Sequence, residues 1–308
     1  MRIVVIGAGG VGGYFGGLLA RSGLDLRFAA RGAHLLAIQR NGLKVKSVAT
    51  GEFSVTVSAF ENSRGQDKAD LILFCVKSYS NNQAIRLVNE IIDDNTSIIT
   101  LQNGIGSTDE LGTVFGQDKI LPGLAYIETS IKSPGVISQT GGPCRIIFGE
   151  IDGKISTRVT NITKIFENAG IEIEPSTNIL VEIWNKFIFI CGLSGVTSIT
   201  RTSLKEVLDT PETFEILEKV MLETEAVARA KGIDISTKIV KQTMDRFKEF
   251  STVLKSSMQL DLEKGKPLEL EALNGTVSRL GSELGIPTPI NSFIYACLKP
   301  ANIAGRIR

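Results

Sequence analysis

Arg2-Ile3-Val4-Val5-Ile6-Gly7-Ala8-Gly9-Gly10-Val11-Gly12 is the stretch on which the fold turns. Residues 2–6 are a β-branched run of the kind that fills a buried strand. The pattern G-x-G-x-x-G follows at once, and residues 11–22 then read as a helix that stops at Gly23. Alone, the glycine pattern is weak, but a strand before it and a helix behind it supply the context it requires. There Gly7 permits a tight turn, Gly9 lets backbone approach a pyrophosphate, and Gly12 lets the helix pack close to the strand. The free N–H groups of the loop, including Ala8, Gly10 and Val11, then face an anion with the helix dipole behind them. The bland alternative is a glycine-rich turn with no ligand.

Working outward, strands and helices alternate. Residues 26–30 read as a second strand, 44–48 and 54–57 as added strands, 70–76 as another buried strand, 81–92 as a helix, and 97–101 as a strand ending at Asn103-Gly104. This order argues for a parallel sheet of βαβ units. From Lys119 three short strands are expected, at 123–130, 135–139 and 145–149, then a helix at 156–169 and a last strand at 171–174. Beyond Thr177 nearly everything has helical period: 178–200, 202–209, 211–231, 236–249 and 268–284. Pro211 suits a first helical turn and Gly232 a C-terminal cap. The expected architecture is α/β, with a Rossmann-type dinucleotide-binding domain over residues 1–177 and an all-helical domain over 178–308.

Bulk properties exclude several classes. At 308 residues the chain is too long for one modest core. A net charge of +1, with no block of like charge, gives no electrostatic reason to bind nucleic acid or an anionic membrane. Cys75, Cys144, Cys191 and Cys297 are scattered without a C-x-x-C pair, so no metal site is expected and a reducing cytoplasm is. The N-terminus lacks signal-peptide character, and the apolar run 187–193 is far shorter than the roughly 20 residues of a membrane span. The single histidine, His34, reads as an ordinary loop or helix-start residue, and its solitude argues against a Ser-His or Cys-His mechanism. The apolar helices of the second domain would serve as a core or as a homodimer interface.

The end of the second strand selects the dinucleotide. An NAD enzyme places an acid there for the ribose 2′-OH. Here it reads Ala29-Ala30-Arg31-Gly32, and the Arg31 guanidinium suits a 2′-phosphate, which points to NADP(H). Arg40 is a weaker candidate for that phosphate. Two polar clusters follow strands: Val76-Lys77-Ser78-Tyr79, and Leu101-Gln102-Asn103-Gly104. Lys77 is positioned for cofactor or substrate charge and Asn103 for ribose or substrate, although Asn-Gly is also a common turn. In the second domain, Lys186 sits amid Ile183, Trp184, Phe187, Ile188, Phe189, Ile190 and Cys191. Two readings stay open: a snorkelling lysine, or a desolvated one whose lowered pKa makes it a proton donor near neutral pH. Ile190 and Ser194 lie on its helix face.

Together these pieces resemble the ketopantoate (2-dehydropantoate) reductase family over essentially the whole chain. The likeness rests on the opening I-x-G-x-G-G-V-G-G-Y-F-G, on C-V-K-S at 75–78, L-Q-N-G at 101–104 and Trp184-x-Lys186. It continues through Ser256-Ser257-Met258-x-x-Asp261-Leu262, Gly265-Lys266-Pro267-x-Glu269-x-Glu271-x-x-Asn274-Gly275 and Gly285-Ile286-Pro287-Thr288-Pro289. The resemblance implies NADPH-dependent reduction of a 2-oxo acid, 2-dehydropantoate to pantoate in pantothenate biosynthesis. It implies Lys186 as general acid, Glu269 positioning lysine and substrate, Ser257 on the substrate carboxylate, and Asn103 between cofactor and substrate with Lys77 nearby. Without it, Glu269 reads as a carboxylate at a helix N-terminus and Ser257 as a cap. One departure matters: Ile190 and Ser194 stand where the family has asparagines, the first of which contacts substrate. The reaction class therefore transfers more firmly than the substrate, and a more apolar 2-oxo acid or ketone is the alternative. A cofactor-binding sensor without turnover is a third reading, against which the intact Lys186 and Glu269 count.

Overall fold

The structure is a computed structural model describing residues 1–249 and 254–307. Residues 250–253 and 308, in the range assigned to the second domain, lie outside the described residues. The chain divides into two compact units: Met1–Gln102 with Ser107–Ile179, and Asn103–Gly106 with Leu180–Arg308.

The first unit runs β1 (Arg2–Ile6), α1 (Gly10–Arg21), β2 (Asp25–Ala29), α2 (Gly32–Asn41), β3 (Leu43–Ser47), β4 (Gly51–Val55), β5 (Ser58–Phe60), β6 (Leu71–Phe74), α3 (Asn81–Ile91) and β7 (Ser97–Thr100). It continues with α4 (Ser107–Phe115), β8 (Ile120–Ser133), β9 (Val136–Phe148), α5 (Thr157–Asn168) and β10 (Glu172–Pro175). The strands make one sheet in the order β4-β3-β9-β8-β7-β6-β1-β2-β5, with β10 beside β9. β1 pairs in parallel with β2 on one side and β6 on the other. Strand order therefore reverses at β1, where an open α/β sheet leaves a ligand crevice beyond its carboxyl ends.

The unbroken apolar composition of β1 has a physical reason. Alternation sends Ile3 and Val5 into a core with Tyr14, Phe15 and Leu18, and Val4 and Ile6 into another with Val88 and Ile91. Leu71 and Leu73 of β6 divide from Ile72 and Phe74 in the same way. A strand covered on both faces has no polar side to show.

Several expectations need correction. The two strands expected at 135–139 and 145–149 are parts of one strand, β9, which runs Val136–Phe148 and pairs antiparallel with the long β8. The Gly141-Gly142-Pro143 segment is absorbed without ending the pairing. Gly142 and Cys144 take positive φ there, and the register shifts between Tyr126 and Glu128. Helices α2 and α4 and strand β5 have no counterpart in the sequence reading; α2 begins after Arg31, which makes no side-chain cap bond.

The second unit is helical: α6 (Ile179–Thr200, its first residue closing the first unit), α7 (Leu204–Asp209), α8 (Pro211–Ala230), α9 (Ile239–Glu249), α10 (Ser257–Glu263), α11 (Asn274–Leu284) and α12 (Pro289–Ile307). Ser203 and Glu206 close a capping box on α7, and Pro211 opens α8. The helix expected over 268–284 starts only at Asn274; residues 269–273 form bends and turns, so Glu269 is not at a helix N-terminus. α10 and α12 have no counterpart in the sequence pattern above. The start of α12 is held from a distance, where the Glu223 carboxylate accepts the Ile290 and Asn291 N–H groups at 2.8 and 2.9 Å.

α6 also revises the length reading. Among the described residues it is long and apolar enough to cross a membrane by length and composition, with mean hydropathy 1.6 over its best window. Of that window, 61% is buried in the protein. Trp184, Phe187, Ile188, Cys191 and Val196 pack into the helical core with residues of the surrounding helices. An all-apolar helix at the centre of a bundle has the same composition as a membrane span.

Candidate active site

In the first unit the glycine turn continues β1. Gly7 has φ +103°, and a Cβ there would lie 3.0 Å from the Val76 nitrogen. Its N–H donates to the Ala29 carbonyl at 3.2 Å, which ties the turn to the end of β2. A Cβ on Gly12 would run into the Gly7 carbonyl oxygen and lie 2.9 Å from Val5 Cγ1, so α1 needs a bare backbone against the strand. Gly9 differs from both. Nothing lies within 4 Å of its Cβ position, and as N-cap of α1 it leaves the first helical turn without a side-chain acceptor. Gly10 is packed against the Thr129 carbonyl, Ala8 is buried, and Val11 packs on the core. The turn thus presents open backbone at a helix N-terminus, which fits a diphosphate.

Arg31 stands two residues past β2, exposed, its Nη1 donating to Gln83 Oε1 at 2.7 Å and its Nη2 3.4 Å from Ser80 Oγ. These neutral partners leave the guanidinium charge uncompensated by a carboxylate at those contacts, as a phosphate-reading arginine requires. Arg40 lies in the last turn of α2, at the other end of that helix. Lys77 follows β6 and stands at the N-cap position of the short 3-10 turn Ser78–Ser80. Gln102, buried, was not singled out from sequence. Its Nε2 donates to the Val76 carbonyl at 2.8 Å and to Asn81 Oδ1 at 2.7 Å, joining the loops that follow β6 and β7.

In the second unit three predicted residues come together. Lys186 Nζ donates to Asn103 Oδ1 at 3.0 Å, and Asn103 Nδ2 makes a long 3.5 Å contact with Glu269 Oε2. Glu269 is only 3% exposed. Lys186 is half-buried as a residue, but its ammonium end is desolvated. That burial pulls its pKa from 10.5 down to about 8, against the opposing pull of the Glu269 carboxylate. Gly104, at φ +93°, lies so close to Ala272 that a Cβ would sit 2.8 Å from its carbonyl oxygen, seating the Asn103 loop on the segment that carries Glu269.

Ile190, one turn along α6, is half-buried and packs on the helical core. Ser194, a further turn along, is 1% exposed, and its Oγ has no hydrogen-bond partner among the described residues. Ser257 is the exposed first residue of α10. The cap of that helix is its neighbour Ser256, which accepts the Gln259 N–H. Among the described residues no cluster of His, Cys, Asp or Glu suits a metal ion.

An open glycine turn at the switch point of a doubly wound sheet, with an arginine just past β2, has the form of the cofactor half of a nicotinamide-dependent oxidoreductase. Comparison with known proteins narrows the class. The ketopantoate reductase PanE/ApbA family model matches residues 3–153, and its C-terminal counterpart matches residues 178–302. The chain belongs to the ketopantoate reductase family. It is 29% identical to the uncharacterized oxidoreductase YkpB of Bacillus subtilis, over 97% of this chain and 98% of that one. It is also 29% identical to a 2-dehydropantoate 2-reductase of Mesorhizobium japonicum, over 97% of each. Among solved structures, a PanE/ApbA family ketopantoate reductase from Ralstonia eutropha superposes with a TM-score of 0.91 at 30% identity, covering 99% of this chain and 100% of that one.

Proposed function

We propose that the protein reduces a 2-oxo acid to the 2-hydroxy acid with NADPH, 2-dehydropantoate to pantoate being the first substrate to test. The observation that carries the reading is the desolvated Lys186, bonded to Asn103 and within the field of Glu269. Bound NADPH would supply the hydride that the 2-oxo carbon receives. The chain's own part is to bind and to manage one proton. Backbone at Gly7, Ala8, Gly9, Gly10, Val11 and Gly12 takes the diphosphate, Arg31 the 2′-phosphate, and Lys77 and Asn103 the neighbouring charge and ribose. Lys186 gives its proton to the oxygen on which negative charge develops. With a pKa of about 8 it is mostly protonated at neutral pH yet yields its proton far more readily than an exposed lysine. Asn103 accepts from the ammonium and so aims it, and Glu269 favours the charged form and helps orient lysine and substrate. Ser257 takes the substrate carboxylate in this reading.

A second reading has a specific observation behind it. Ile190 offers only carbon to a substrate, and Ser194 is the nearer unpartnered hydroxyl on that helix face. Loss of a hydrogen-bond partner at such a position can relax discrimination by up to about 10⁴-fold. A 2-oxo acid with a more apolar side chain is then preferred. Four unpaired cysteines suit a cytoplasmic enzyme. The test is NADPH oxidation over a panel of 2-oxo acids. Turnover with 2-dehydropantoate supports the first reading and turnover only with apolar analogues the second. Cofactor binding without turnover on any of them would leave a sensor and overturn both.

A further inference from the structure

His34 takes no part in the proton transfer, yet its ring is bonded at both nitrogens. It lies in the first turn of α2, and its Nδ1 accepts the Gly135 N–H at 3.0 Å. Its Nε2 is 2.8 Å from the Ala8 carbonyl oxygen. An amide N–H only donates and a carbonyl only accepts, so the ring is the Nε2–H tautomer, accepting on one side and donating on the other. Burial favours that neutral form and lowers the pKa, with the Ala8 carbonyl pulling the other way.

The two ends of this bridge differ. Gly135, in the turn between β8 and β9, is anchored. Its carbonyl accepts the Lys44 N–H of β3 at 2.9 Å, and it lies so close to α2 that a Cβ would come within 3.0 Å of Ala37 Cβ. Ala8 is the middle residue of Gly7-Ala8-Gly9, between the tight turn at Gly7 and the open cap of α1 at Gly9. A peptide group between two glycines has little steric restraint of its own. Whatever holds the Ala8 carbonyl therefore holds the direction of the following N–H groups.

We propose that His34 is a positioning residue for the cofactor turn. Its ring transmits the rigidity of the β8–β9 turn to Ala8 and keeps Gly9 and the start of α1 in the shape that takes the dinucleotide diphosphate. The proposal rests on the cofactor reading above. It is tested by NADPH affinity and steady-state kinetics of wild type, His34→Ala and His34→Gln. A glutamine amide carries one acceptor and one donor side by side, as the ring does; alanine carries neither.

His34→Ala is expected to weaken NADPH binding about tenfold, the scale of a lost hydrogen-bonded tether, and to raise KM for NADPH alike. At saturating NADPH its kcat stays within about twofold of wild type, since no interaction specific to the transition state is removed. His34→Gln recovers most of the affinity. Wild-type affinity in His34→Ala, loss of kcat without loss of affinity, or a glutamine variant as weak as alanine would each overturn the proposal. If the alanine variant does not fold, His34→Leu fills the volume without polar atoms and carries the same expectations. If neither folds, His34 serves the fold alone and the proposal falls. Failure of the wild type itself to bind NADPH would instead refute the cofactor reading.

Discussion

Replacing Lys186 with methionine should make the protein a far poorer enzyme and, with its partner adjusted, a more stable one. The distance between 10.5 and about 8 corresponds to about 3 kcal/mol by which folding disfavours the charged lysine. A lysine whose folded pKa lies below its unfolded value binds its proton less tightly when folded. The penalty is thus full below pH 8 and fades as pH rises from there towards 10.5. Methionine keeps the length of the side chain and removes the charge, but it leaves Glu269 buried without its counter-ion, which offsets part of the gain. Lys186→Met with Glu269→Gln removes both charges and should unfold at higher urea than wild type near pH 7, by up to about 3 kcal/mol. The single tryptophan, Trp184, lies two residues from the substitution and reports unfolding of the second unit by its fluorescence. At the same time kcat should fall by about 10²–10⁴-fold, the usual contribution of a general acid, with NADPH affinity unchanged. A double variant less stable than wild type would show that the ammonium is net stabilising where it sits, and turnover within about tenfold of wild type would remove it as the acid.

Other outcomes follow from the same geometry. Arg31→Ala should weaken NADPH far more than NADH, measured by titration with each; equal losses would show that it does not read the 2′-phosphate. Gly12→Ala should abolish tight NADPH binding, because its methyl group meets the Gly7 carbonyl. Gly9→Ala, with open space at its Cβ in the protein alone, should fold as wild type and lose only affinity. Asn103→Ala, which removes the acceptor 3.0 Å from the Lys186 ammonium, should lower kcat about tenfold or more at saturating NADPH and lower stability to urea by about 1–3 kcal/mol, the cost of leaving a buried charged donor unpaired.

What was legible in the sequence was local. The glycine turn announces itself because each glycine answers a backbone demand within a few residues, and β1 and β6 because burial on both faces leaves an unbroken apolar run. What was hidden depends on partners far along the chain. The first N–H groups of α12 donate to Glu223 of α8, 67 residues away; its local start signal, Thr288-Pro289, is the same Thr-Pro pair as at α8 but lies inside a short Gly/Pro segment that reads as a turn. The segment at Glu269 carries an apolar pattern that reads as helix, yet it turns, and the buried carboxylate comes to Asn103 from a separation of 166 residues. Periodicity left Lys186 open between snorkelling and desolvation because its polar partner lies 83 residues upstream. His34 passed as an ordinary residue for the same reason, since its bond to Gly135 spans 101 residues. Asn103 was marked by its place after a strand end, whereas composition and spacing did not single out Glu269, which only the resemblance supplied.

The most direct test of a proton-donating Lys186 is the pH dependence of kcat/KM for 2-oxo acid reduction, which reports groups in the free enzyme. The donor must carry its proton, so the rate should hold below and fall through about pH 8, while the reverse oxidation rises through the same range. Glu269→Gln should move that fall to lower pH, because the carboxylate raises the lysine's pKa. In Lys186→Met the residual rate should lose the transition. A wild-type profile flat to about pH 10, where an unperturbed lysine titrates, or the same fall surviving in Lys186→Met, would contradict the account.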